Sequence, residues 1–127
     1  MADYISLQNL EVYKLARELS VHGWKIYSSM DWQTKKTIGR QFIESLDSVG
    51  ANIAEGYGRY HYLDKIKFYY NARASLVESC DHWLSLLCER KLTDTKTSEE
   101  MNNLSKNLSL KLNNFINATY KAKGLVS

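Results

Sequence analysis

Apolar residues recur along this chain at spacings of three and four, and four separate stretches carry the pattern. In the first, Leu10, Tyr13, Ala16, Trp24 and Tyr27 share one stripe, which Val12, Leu15, Leu19 and Ile26 widen, predicting a helix over about residues 7–29. So broad an apolar arc calls for more than one neighbour. Asp31, ahead of Trp32, supplies an acceptor for the free amides of a second helix, with Thr34 three residues later in a variant of the capping box. That helix, residues 32–55, carries Ile38, Phe42, Leu46, Val49 and Ile53 inward. It should stop in Glu55-Gly56-Tyr57-Gly58, where a glycine can take the left-handed cap conformation. Its small residues Gly39, Ser45, Ser48, Gly50, Ala51 and Ala54 would let another helix approach closely.

The third stretch predicts a helix over residues 62–91, with Leu63, Ile66, Tyr69 or Tyr70, Ala72, Leu76, Val77, Cys80, Trp83, Leu84 and Leu87 inward. Thr97-Ser98-Glu99-Glu100 combines a capping hydroxyl with carboxylates that favour a helix start, placing the fourth helix at 98–123. Its core positions are Met101, Leu104, Leu108, Leu112, Phe115, Thr119 and Ala122, and Lys121, Lys123 and Gly124 suit its end. Four amphipathic helices with short connections predict a single all-α domain over residues 1–127, an antiparallel up-and-down four-helix bundle.

Composition agrees with that picture. The 127 residues include no proline and only six glycines, so long helices go uninterrupted, and a chain of this length buries about two thirds of its unfolded surface. The net charge of +3 permits a nucleic-acid partner without demanding one. MADYISLQNL lacks a basic stretch followed by an apolar one, and no window approaches eighteen uncharged apolar residues, so a cytoplasmic location and no membrane partner are expected. Cys80 and Cys88 lie on one predicted helix, too far apart to bridge, and read as reduced thiols.

Catalytic chemistry finds little support. There is no G-x-S-x-G, no phosphate-binding glycine loop and no His-Glu-x-x-His. Cys80 and His82 are two apart and point to different helix faces, a poor metal pair, while His22 and His61 stand apart from any candidate nucleophile. The expectation is no enzyme, no catalytic residue, no metal and no cofactor.

Two groups of polar residues carry more interest. Gln41, Ser48, Asn52 and Glu55 on helix two, with Arg73, Ser75 and Glu78 on helix three, fall near the predicted core; Ser48, Asn52 and Glu55 share one stripe. Buried polar groups must be paired, so these form either a network that fixes helix register or a ligand or partner site. The second group is Arg59, Tyr60, Lys65 and Lys67 at the turn between helices two and three, where cations for phosphates sit among tyrosines that can stack on unpaired bases. Lys35, Lys36 and Arg40 add charge at the start of helix two, which antiparallel topology puts at the opposite end of the bundle. The same residues also suit solvated loops.

The strings Leu10-Glu11-Val12-Tyr13-Lys14-Leu15-Ala16, Gln41, Ser48-Val49, Asn52-Ile53-Ala54-Glu55-Gly56-Tyr57-Gly58-Arg59 and Ala72-Arg73-Ala74-Ser75-Leu76-Val77-Glu78 resemble the family of 23S ribosomal RNA intervening-sequence proteins, Asn-Ile-Ala-Glu-Gly being the most specific. The family consists of four-helix bundles. A similar bundle, the accessory variability determinant of diversity-generating retroelements, works with a reverse transcriptase and nucleic acid, and such proteins form five-membered rings. The resemblance therefore implies a homo-oligomeric ring, a pentamer. The chain departs from the family pattern at Ile43 and Glu44, which replace a basic pair, and at Ala74, which replaces a glycine. An apolar Ile43 points instead to a protein–protein surface. The expectation is thus a non-enzymatic homo-oligomeric accessory protein contacting RNA or single-stranded DNA through charge and shape, or alternatively a scaffold for another protein with no nucleic-acid contact.

Overall fold

The computed structural model describes residues 4–124. A single 3₁₀ turn, Leu7–Asn9, leads into α1, Glu11–Ser28. Helix α2 covers residues 32–57 and α3 residues 62–89, each interrupted by a wide π-helical segment, Lys35–Gly39 in α2 and Val77–Trp83 in α3. Helix α4 is Thr95–Lys123.

The helix boundaries follow from side-chain chemistry. Asp31 Oδ1 accepts from the Thr34 amide at 2.8 Å, satisfying one of the donors that a helix start leaves free. At α4 the same role falls to Asp94, whose carboxylate accepts from the Thr97 amide at 2.7 Å and the Thr97 hydroxyl at 3.0 Å. The helix thus begins at Thr95, ahead of the expected residue 98, because a charged acceptor displaces Thr97 from the capping position. Gly124 closes α4 with φ 78°, as its sequence position foretold. The end of α2 differs from expectation: Gly56 is helical and Gly58 has φ −81°, right-handed. The left-handed residue is Lys91, φ 57°, where Leu92 N–H returns to Leu87 O and Lys91 N–H to Cys88 O. This pair of bonds is the Schellman closure, made here without glycine.

Contacts fix the order of the helices: α1 packs on α2, α2 on α3, α3 on α4, and α4 back on α1. Gly23 of α1 faces Leu46 and Phe42, whereas Gly50, further along α2, faces Ala16 and Tyr13; these two helices run antiparallel. Gly56, near the end of α2, meets Lys65, Phe68 and Tyr69 near the start of α3. Tyr70 and Tyr120 hydroxyls, 3.2 Å apart, join the start of α3 to the end of α4. The resulting core contains Leu19 and Ile26 from α1, Phe42, Leu46, Val49 and Ile53 from α2, Tyr69, Leu76, Leu84 and Leu87 from α3, and Met101, Leu108, Leu112 and Ile116 from α4. Tyr69 settles the choice with Tyr70, its ring 4.8 Å from that of Phe115.

Four residues expected in the core are exposed: Trp24, Leu63, Val77 and Ala122. Leu63 and Ala122 occupy the first and last turns of their helices, beyond the reach of neighbours. Val77 follows the buried Leu76 by one residue, about 100° around the helix, and lies three residues from the exposed Ala74, on the outward face of α3. Trp24 stacks on Tyr27 at 5.3 Å and otherwise faces water. Ile43, in contrast, is buried in the core, so it forms no protein–protein surface.

Candidate nucleic-acid interface

At the α2–α3 turn, Arg59 N–H bonds back to Gly56 O at 3.1 Å and His61 is extended, so the chain reverses within residues 58–61. Arg59 folds over the turn. Its guanidinium pairs with Glu55 at 3.0 Å and lies 4.7 Å from the Phe68 ring centroid. Lys65 turns the other way, donating to Tyr57 O at 2.9 Å with its ammonium 5.4 Å from the Tyr57 ring. It thereby neutralises carbonyls at the C-terminal end of α2, where cations are favoured. Partial burial lowers the Lys65 pKa. Burial, followed by Tyr4, raises that of Tyr57, whose hydroxyl donates to Ile5 O.

Tyr60 is left almost wholly in solvent, 88% exposed, with its ring edge-on to His61 at 5.1 Å. Together with Tyr62, Leu63 and Lys65 these two rings line an open cleft. Lys67, on the first turns of α3, is also exposed. The turn therefore presents one unstacked tyrosine and one solvent-facing lysine, flanked by two cations already engaged with the protein.

The second basic group lies at the other end of the bundle. Lys35 and Lys36 hold their ammonium groups 5.4 Å and 6.0 Å from the Tyr27 and Trp32 ring centroids, and Arg40 pairs with Glu44 at 3.1 Å. The two clusters do not form one patch.

The polar group near the core contracts to three residues. Ser48 Oγ accepts from Ser75 Oγ at 3.1 Å and from Asn52 Nδ2 at 2.9 Å, and Asn52 also donates to Ser48 O at 2.9 Å. This small network joins α2 to α3. Gln41, Glu55, Arg73 and Glu78 are exposed instead, each beyond the margin of its helix's buried arc. Glu55 takes the pair with Arg59; Arg73 donates to Asn113 Oδ1 at 3.0 Å; Glu78 accepts from Trp83 Nε1 at 2.9 Å across the π segment. Ser79, fully buried and donating to Ser75 O at 2.8 Å, lies beside the network and was not among the serines that the sequence singled out.

Sequence reasoning also missed a groove. Val21 and Trp24 on α1 stand exposed beside Gly50, Ala51 and Ala54 on α2, with Arg17 and Asp47 at its sides. The clue was present: small residues face a helix whose apolar arc is wider than one bundle can cover.

Among the described residues no helix is long and apolar enough to cross a membrane, and no group of three His, Cys, Asp or Glu side chains is placed to hold a metal ion. Comparison with known proteins then bears on the whole bundle. A crystal structure of a protein of unknown function from the S23 ribosomal protein family of Bacteroides thetaiotaomicron VPI-5482 superposes with a TM-score of 0.76 at 25% identity, covering 83% of this chain and 97% of that one. No curated protein matches. The model of the family described as 23S rRNA-intervening sequence protein matches residues 8–114, most of all four helices, and names no enzymatic activity. With its fold and its sequence in agreement, the chain belongs to the 23S rRNA-intervening sequence protein family.

Proposed function

We propose that this protein is a non-catalytic, cytoplasmic, homo-oligomeric accessory protein that contacts RNA or single-stranded DNA through charge and shape, five copies forming the ring implied by its resemblance to the retroelement accessory proteins. The observation that carries the nucleic-acid reading is Tyr60, an exposed ring at a basic turn whose following helix carries the exposed Lys67, in a family named for a ribosomal RNA element. An unstacked tyrosine offers a face to any base, and nearby cations neutralise phosphate. No base-reading motif accompanies them, so binding should ignore sequence and weaken with salt. Filter binding of an unstructured RNA at two salt concentrations tests this. Lys67→Glu should weaken binding and flatten the slope of log affinity against log salt by roughly 0.7 for each phosphate that is no longer neutralised. Tyr60→Ala should cost about 1–3 kcal/mol of affinity by removing a stacking platform. Absence of binding by the parent protein at low salt would overturn the reading.

A second reading, a scaffold for another protein without nucleic-acid contact, is supported by the apolar groove of Val21 and Trp24. Capture of a protein partner by a chain that retains no RNA affinity would favour it.

A further inference from the structure

The α1–α2 groove has a counterpart on the opposite side of the bundle. Leu63, Tyr70, Ala74 and Val77 are all exposed and recur along α3 at steps of seven, four and three, an apolar ridge on the surface of one helix. Steps of this kind keep residues in line and are the spacing by which one helix seats in the seam of two others. Val21, Trp24 and Val77 are each more than half exposed, at 56%, 57% and 52%. A groove floored by Gly50, Ala51 and Ala54 has room for such a ridge.

Heights along the bundle decide what the ridge fits. Ser75 on α3 meets Ser48, and Gly50, half a turn further along α2, faces Ala16, Tyr13 and Arg17 on α1. Since each helix rises about 1.5 Å per residue, these contacts set Tyr13 within about half a turn of the height of Tyr70, and likewise Arg17 of Ala74, Val21 of Val77, and Lys25 of Asp81. Groove and ridge thus occupy the same band of the molecule, apolar opposite apolar, with a cation opposite an anion at one edge. Asp47, on the groove's α2 side, falls within about a turn of the height of Arg73, whose guanidinium flanks the ridge 4.7 Å from the Tyr70 ring centroid.

We infer that the occupant of the groove is the α3 ridge of a second copy of this chain. The inference rests on the homo-oligomer reading and gives it a surface. The contact is heterologous: each copy offers a groove to one neighbour and a ridge to the next, the arrangement that generates rings when the rotation closes. Heights that agree to within about half a turn keep the axial rise per copy small, which favours a closed ring over a helical filament.

Light scattering on Val21→Glu and Val77→Glu proteins, separately and mixed, tests the contact. Each substitution lies on an exposed position and should leave the helical circular dichroism unchanged. Either one alone removes every groove–ridge pair, so each variant should have the mass of one chain, while the parent is oligomeric. Mixed in equal amounts, Val77→Glu supplies an intact groove and Val21→Glu an intact ridge, and a dimer should form with nothing larger. As a second arm, Lys25→Glu and Asp81→Lys should each shrink the oligomer and restore it when combined in one chain. A monomeric parent overturns both this inference and the homo-oligomer reading. An oligomeric parent whose variants keep its mass overturns the groove–ridge contact alone, as does a mixture of monomeric variants that stays monomeric.

Discussion

Two glycines separated by one residue at the end of α2 should respond to alanine with opposite signs. A Cβ built on Gly56 would sit 2.7 Å from Tyr69 Cε1, 2.9 Å from Lys65 O and 2.9 Å from Phe68 Cβ. None of the three can yield cheaply, because Tyr69 is only 1% exposed and the other two contacts are with the backbone of α3 and the root of a side chain. Alanine favours a helix over glycine by about 1 kcal/mol, whereas forcing a methyl group into a packed interface costs up to about 3 kcal/mol. The difference leaves Gly56→Ala destabilised by about 2 kcal/mol. At Gly58 the nearest atoms to the added Cβ, Ala54 O and Glu55 O, are 3.6 Å and 3.7 Å away, ordinary contacts, and φ is −81°. Alanine fits that conformation without strain and restricts the unfolded chain, so Gly58→Ala should gain about 0.4–1 kcal/mol. Thermal unfolding of the two variants beside the parent reads both effects, at roughly 4 °C per kcal/mol for a domain of this size. Loss of stability in Gly58→Ala would mean a left-handed residue at that position and would refute the geometry of the turn; an unchanged melting temperature for Gly56→Ala would refute the close approach of α2 to α3.

Replacing Lys91 by glycine should stabilise the protein by about 1 kcal/mol, since the left-handed conformation disfavours a side chain, and chemical denaturation would show it as a higher midpoint. Ser48→Ala, which strips Asn52 and Ser75 of their shared acceptor, should cost about 1–2 kcal/mol, while Glu55→Leu at an exposed ion pair should shift the midpoint far less. Asp31 and Asp94 accept from helix-start amides and hydroxyls that hold their pKa values below the ordinary 3.8. A depressed carboxylate pKa adds stability above its unfolded value and gives it up as pH falls through its folded value. Melting temperature should therefore fall in acid below about pH 4, and less steeply when both residues are changed to alanine.

The number, type and order of the helices were legible because the apolar period is long and no proline interrupts it. Asp31 and Gly124 were legible for a local reason: a cap needs only its own turn. Asp94 was overlooked because Thr97-Ser98-Glu99-Glu100 offers a competing start, and only geometry shows which acceptor reaches a free amide. Lys65 illustrates the difficulty at the candidate site. A lysine in a basic string carries the same letter whether it awaits phosphate or caps the preceding helix, and its bond to Tyr57 O depends on how α2 meets α3. Glu55, Arg73 and Glu78 were misplaced because a position at the edge of a buried stripe can hold a long side chain whose charged end reaches water. Val77 was misplaced because it adjoins Leu76 in an apolar pair, and composition alone does not say which of two neighbours turns inward.

The return of α4 onto α1 has a kinetic consequence. The other three helix pairs are joined by loops at residues 29–31, 58–61 and 90–94, so each can form as a local hairpin. The α1–α4 seam must instead bring together ends separated by two whole helices, roughly four doublings of loop length and about 2.4 kcal/mol more closure entropy. Its contacts, among them the Lys111–Glu11 pair at 2.7 Å, are therefore the last that a folding chain can gain and the first that it can surrender. Weakening this seam should hasten unfolding while leaving the refolding rate nearly unchanged, which makes it the place where the lifetime of the native bundle is set.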